Sequence, residues 1–190
     1  MKKFILSLLA IGLCAGTVVA QELSKEEQKA IKEQQKVIST LLKDAEKAAK
    51  LPEDAMGQVD IEKAKAINFD AARGLVEQAL ANPKAGTMLG DIKRIAALIE
   101  YNQSKVVLAD AQNNDQTALN TLFSNCGKGF QLFQEAWDAF ATPDAKGKVN
   151  TKFNDDMAAK AYELFSMSNG LANCGFTAYN QKDWDIVCSL

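Results

Sequence analysis

DQTALNTLFSNCGKGFQLFQEAWDAFA, residues 115–141, carries the most apolar stripe in the chain. Leu119, Leu122, Cys126, Phe130, Phe133, Trp137 and Phe140 follow one another at steps of three or four. That spacing is the signature of one buried helix face, and it predicts a helix whose phenylalanines and Trp137 are core. Asp115 stands where an N-cap belongs, ahead of the apolar run. Gly127 and Gly129 lower helix propensity by up to about 1 kcal/mol each relative to alanine. Their expected use is the close approach of a neighbouring helix.

The same period recurs on both sides. ELSKEEQKAIKEQQKVISTLLKDAEKAAKL opens with Ser24 and has Glu27 three residues later, a capping box. Ile31, Ile38 and Ala45 then recur every seven residues, with Leu41 and Ala48 beside them and Leu42 and Ala49 widening the stripe. An amphipathic helix over about 24–50 follows, ended by Pro52. IEKAKAINFDAARGLVEQALANP places Phe69, Ala72, Leu75, Val76, Ala79 and Leu80 at helical spacing and closes at Asn82-Pro83. GTMLGDIKRIAALIEYNQSKVVLADAQ puts Met88, Ile92, Ile95, Ala96 and Ile99 on one face. After a polar loop at 142–152, Asn154 or Asp155 can cap a last long helix bearing Met157, Ala161, Leu164, Phe165, Leu171, Cys174 and Ala178. Alternating strand patterns are missing. The fold class expected is all-α, built from antiparallel helix pairs, with an irregular bundle as the alternative. Residues 21–190 form one helical domain on this reading, in which the 24–51 helix could stand apart.

The first twenty residues have another purpose. Lys2 and Lys3 precede an apolar run from Phe4 to Leu13, and Val18-Val19-Ala20 forms a small-residue cleavage site. This is the pattern of a secretory signal peptide cut between Ala20 and Gln21. The apolar run is short for a membrane span. Leu13 ahead of Cys14 disfavours lipidation, since bacterial lipoprotein signals carry a small residue there. An exported, periplasmic location is expected, with no membrane span after cleavage.

Composition narrows function further. The net charge is −2, and removing residues 1–20 takes away two lysines and no acid. An acidic surface argues against nucleic acid and anionic membrane as partners. The chain has no histidine, so the commonest acid–base and metal-binding side chain is missing. The cysteines match no metal spacing, and Cys126, Cys174 and Cys188 read as buried thiols; a Cys126–Cys174 bridge is left open. GKGF at 127–130 lacks the spacing of a phosphate loop. Asp155-Asp156 reads as a favourable helix start rather than a catalytic pair. Lys146, Lys148 and Lys152 read as a solvated loop. No catalytic residue, cofactor or metal is expected.

Repetition gives the stronger lead. Tyr-Asn-Gln occurs at 101–103 and again at 179–181, each time near a helix end. The interval is close to two repeats of about 34 residues plus the 142–152 loop. LANCGFTAYNQKDWD, residues 171–185, resembles the first helix and turn of a tetratricopeptide repeat. Leu171 stands at the family's large apolar position, Cys174 and Gly175 at its apolar-then-small pair, Ala178 or Tyr179 near the helix end, and Trp184 at the start of the second helix. NFDAARGLVEQALANP, residues 68–83, resembles such a second helix: Phe69 opens it, Ala72 and Ala79 permit close packing, and Pro83 follows. Departures are Cys174 in place of leucine, Gly74 within the early helix, Val187 in place of a small alanine, and two central helices longer than the family's norm. The order of parts resembles exported tetratricopeptide-like proteins of the Bacteroidota type, in which further repeats follow. The resemblance implies a binding scaffold without catalytic activity, taking a protein or peptide partner. The alternative is a structural bundle that homodimerises through the 24–50 helix or the Phe-rich stripe. Trp184, Ile186, Val187 and Leu190 make a poor polar cap, so the chain reads as the N-terminal part of a longer repeat protein.

Overall fold

The computed structural model describes residues 24–144 and 147–181, with side chains through 170 and at Ala172. Six α-helices make up almost all of it: α1 (Lys25–Ala48), α2 (Ile61–Ala64), α3 (Phe69–Leu80), α4 (Leu89–Gln112), α5 (Gln116–Ala141) and α6 (Asn154–Gln181). A 3₁₀ turn, Ala85–Met88, leads into α4. The chain is all-α; among the described residues the sole β feature is an isolated bridge between Glu53 and Val59.

Local chemistry sets the helix starts. Ser24 and Glu27 form both halves of the capping box on α1. The side chains of Asp60, Asn68 and Asp115 accept from the first free N–H groups of α2, α3 and α5. The Asn68 cap divides a segment expected to be continuous: α2 is a single turn, and the longer helix begins only at Phe69. Asn114, in the left-handed region at φ 63°, makes the reversal between α4 and α5. α6 carries Asp155 and Asp156 in its first turn, where negative charge is favoured.

Successive long helices run antiparallel. Arg73 on α3 meets Glu100 on α4, while Lys65 just before α3 meets Asp110 at the far end of α4. Glu100 then meets Lys128 on α5, and Gly90 lies against Phe140. Phe140 faces Phe153, and Gly129 faces Leu164. It follows that α1, α4 and α6 point one way, and α3 and α5 the other. α4 packs on both α1 and α3; α6 packs on both α4 and α5.

Two apolar clusters meet at α4. Ile92, Ile95, Ile99 and Val106 close the first against Ile38, Leu42 and Ala45 of α1 and Phe69, Ala72, Val76 and Ala79 of α3. α1 therefore shares this core and does not stand apart. Ala48, placed in its stripe by the heptad pattern, is exposed; Leu42 and Ala49 take the buried line. The opposite face of α4 closes the second cluster, through Ala97 and Tyr101, against Leu119, Leu122, Cys126, Phe133 and Phe140 of α5 and Met157 and Leu164 of α6.

The central stripe needs a correction. Phe130 and Trp137 are not core: they are 47 % and 41 % exposed. The buried face of α5 keeps Leu119, Leu122, Cys126, Phe133 and Phe140 of the expected stripe and adds Ala118, Asn125, Gly129 and Ala136. Small residues decide this. Gly90, Ala97, Ser104 and Ala111 line the facing side of α4 every seven residues, all buried. A Cβ built at Gly129 would lie 2.8 Å from Leu164 Cδ1 and 3.3 Å from Glu100 Cβ. The helices meet where their surfaces are lowest, so Phe130 and Trp137 turn outward while Phe133 and Phe140 stay inside. Gly127 faces open space and has no such use.

Candidate functional site

Three helices that share a direction, α1, α4 and α6, border one cleft of about 450 Å³. Its floor is Ile95, Leu98 and Ile99 of α4. Lys50 stands at the end of α1, Arg94 and Asn102 rise from α4, and Asp156 and Lys160 come from α6. Asn102 is fixed, because its Nδ2 donates to the carbonyl of Ala49 at 3.0 Å and so satisfies the end of α1. Lys160 is paired with Asp156 one turn earlier.

Arg94 is held differently from its neighbours. Its side chain is only 12 % exposed, and its guanidinium lies over the Phe153 ring, 4.1 Å from the centroid. The nearest approach of a carboxylate is Glu46 Oε1 at 3.8 Å, too far for a hydrogen bond. Its Nε is buried without a partner, alone in this respect among the described residues.

A second surface lies between α5 and α6, facing away from α4. Phe130, Phe133, Gln134 and Trp137 line it with Met157, Ala158 and Ala161, enclosing about 260 Å³. Phe123, Phe130 and Trp137 are exposed at seven-residue intervals along α5, and Tyr162 and Phe165 are exposed on α6. Exposed rings in a row are uncommon on a monomeric surface and mark interaction sites.

Beneath both surfaces a polar network joins α3, α4 and α5. Glu100, 2 % exposed, accepts from Arg73 Nε at 3.1 Å and Nη2 at 2.6 Å, and pairs with Lys128 Nζ at 2.6 Å. Arg73 also reaches Asp70 and Gln103, and Asn125 donates to Gln103. Burial pushes the Glu100 carboxyl up; the hydrogen bonds from Arg73 and Lys128 outweigh it and hold the group below its ordinary value. Tyr101 donates to Glu163 on α6, and burial followed by that carboxylate pushes the phenol well above its ordinary range. At the other end of α4, burial raises the Asp91 carboxyl, opposed by the charges of Arg94 and Lys152. Asp91 borders a further hollow of about 500 Å³ beside the 142–152 loop, shared with Asp144 and Lys148. These groups form no nucleophile–base pair, and no cluster of three metal-ligating side chains occurs among the described residues. Among the described residues, no helix is long and apolar enough to cross a membrane.

The repeat-packing positions are placed as follows. Phe69, Ala72 and Ala79 are buried on α3 in the first core. Leu171, Cys174, Gly175 and Ala178 fall within α6, but their side chains lie outside the described residues, as do Ala20, Gln21 and Trp184 altogether. Cys126 is a free, buried thiol, and the Cys126–Cys174 bridge is not formed. Antiparallel pairing explains this: Gly129 lies level with Leu164, which sets Cys126 level with Met167. Cys174 is seven residues, about 10 Å, further along the axis.

Sequence reading passed over Arg94, Lys50 and the Glu100 network. Lone charges on polar-rich helices form no motif. One signal was available at Glu100, an acid between Ile99 and Tyr101 on a helix with apolar faces. Comparisons with protein-family models, with curated proteins and with solved structures give no match for this chain.

Proposed function

We propose that this chain is an exported, tetratricopeptide-like protein-binding scaffold that takes a peptide segment of a protein partner in the cleft between α1, α4 and α6. The observation that carries this reading is the convergence of three same-direction helices on one cleft. In arrays of stacked helix pairs, the first helix of each pair lines the inner surface, and that surface binds extended ligands. Here α1 with α3, and α4 with α5, have the order of such pairs, and α6 stands where the first helix of a third would. The length of α4 and α5, 24 and 26 residues, departs from a repeat of about 34 residues in all. The chemistry proposed is recognition, with no bond made or broken.

Site-specific photocrosslinking tests this in the producing cell. A benzophenone side chain replacing Lys50, at the cleft, should give a discrete adduct with another protein. The same group replacing Lys43, exposed on α1 away from the cleft, should give none. Equal labelling from both positions, or none from Lys50, removes the reading.

The exposed rings of α5 favour a second reading, a homodimer closed through the α5–α6 groove. Light scattering separates the readings: a dimer that F130E/W137E converts to a monomer supports the bundle, and a monomer in both forms supports the scaffold.

A further inference from the structure

A guanidinium carries five N–H donors and keeps its charge at any pH a folded protein meets. Nearly every buried donor in a native protein has an acceptor. Arg94 is largely buried in the wall of the α1–α4–α6 cleft, yet it makes no hydrogen bond among the described residues: Glu46 is too distant, and Phe153 offers only its ring face. The Phe153 ring, 4.1 Å from the guanidinium carbon, covers one side of the fork. Lys50 also lines the cleft, and its ammonium makes no ion pair among the described residues. The third cation, Lys160, is neutralised by Asp156. Arg94, held only at longer range by Glu46 and Asp91, and Lys50, just past the end of α1, thus border one hollow above an apolar floor of Ile95, Leu98 and Ile99.

We infer that the cleft binds a carboxylate carried on an apolar stem. Arg94 grips the carboxylate, Lys50 closes over it, and Leu98 receives the stem. In a peptide ligand the group is a C-terminal carboxylate or the side chain of an acidic residue beside an apolar one. Planar two-point recognition of this kind is what arginine does better than lysine. Asn102, with its amide nitrogen committed to Ala49, leaves its oxygen to accept from a ligand N–H. Glu46 and Asp156 at the rim disfavour a second negative charge, so one carboxylate fits better than a polyanion. This inference rests on the scaffold reading and names what the cleft selects.

The test uses three small probes on the purified protein: N-acetyl-leucine, the α-amide of N-acetyl-glutamate, and N-acetyl-leucinamide. The first offers a terminal carboxylate, the second a side-chain carboxylate, and the third no charge. The readout is the backbone ¹H–¹⁵N resonances of the cleft residues Leu98 and Asn102, which every variant keeps. A saturable shift with either carboxylate, in the millimolar range and absent with the neutral amide, is expected. Which carboxylate binds tighter identifies the source. Arg94→Gln should weaken binding by about tenfold or more, the usual loss for a charge-assisted hydrogen bond. Lys50→Gln should weaken it severalfold; because Lys50 is exposed, this variant keeps its fold if Arg94→Gln does not. An equal shift with the neutral amide, no shift with either acid, or unchanged affinity in Lys50→Gln overturns the inference. Failure of the probes with crosslinking from position 50 intact removes only the carboxylate. Loss of that crosslink removes the scaffold reading itself.

Discussion

At the scale of single residues, the two glycines of GKGF separate packing from propensity. Gly129 sits where α4, α5 and α6 converge, and a methyl group there would press on Leu164 and Glu100. Gly129→Ala should destabilise the protein by about 1–3 kcal/mol, the usual cost of overpacking. Gly127 faces open space, so Gly127→Ala should stabilise by up to about 1 kcal/mol through helix propensity. Urea unfolding of both variants checks the pair; equal effects would mean that α5 is rotated from its described position. Glu100 makes a second prediction. Its folded-state value is lowered, so its stabilisation is complete above the ordinary glutamate range and is lost as pH falls through the lowered value. Stability should therefore decline below about pH 5, and Glu100→Gln should flatten part of that decline while costing about 2 kcal/mol at neutral pH. The Arg73 guanidinium, pushed further up by Glu100, stays charged and does not reverse the sign.

At the scale of elements, boundaries were legible and orientation was not. Ser24, Asp115, Pro52 and Pro83 mark helix ends through chemistry that acts within a few residues. Ser24→Ala removes the side-chain half of the capping box and should cost about 1 kcal/mol, read as a lower denaturation midpoint and faster hydrogen exchange in the first turn of α1. The face that each helix buries is a different matter. Along α5 two lines of residues fit helical spacing, one rich in rings and one containing Gly129 and Ala136. Hydrophobicity favours the first. The structure buries the second together with Leu119 and Cys126 of the first and leaves Phe130 and Trp137 out, because the facing side of α4 presents Gly90, Ala97, Ser104 and Ala111, and small residues on both helices permit the shortest approach. α4 shows the same limit: its apolar face toward α1 and α3 was read correctly, while its second buried face, made of small and polar residues, carries no hydrophobic signal.

At the scale of the molecule, oligomeric state and export are the measurements that bear on function. Purified from the producing cell, the protein should begin at Gln21, as N-terminal sequencing would show; retention of Met1 would exclude cleavage at Ala20. On the dimer reading the exposed rings of α5 give concentration-dependent association, reduced by F130E/W137E and unaffected by Lys50→Gln, because groove and cleft lie on different faces of α6; on the scaffold reading light scattering shows a monomer in all three forms. The sequence by itself determined the all-α class, the helix ends marked by Ser24, Pro52, Pro83 and Asp115, and the helical character of every long described segment, since spacing, caps and prolines act locally. It also marked Phe69, Ala72 and Ala79 as packing positions, all of them buried. Only the tertiary structure decided that Phe130 and Trp137 of α5 lie outside while Gly129 and Ala136 lie inside, that Glu100 is buried with two cations from different helices, and that Arg94 and Lys50 border one hollow. Those facts depend on residues from α1, α3, α4, α5 and α6 meeting in space. A periodicity along one helix carries no information about the height of the surface that will be pressed against it.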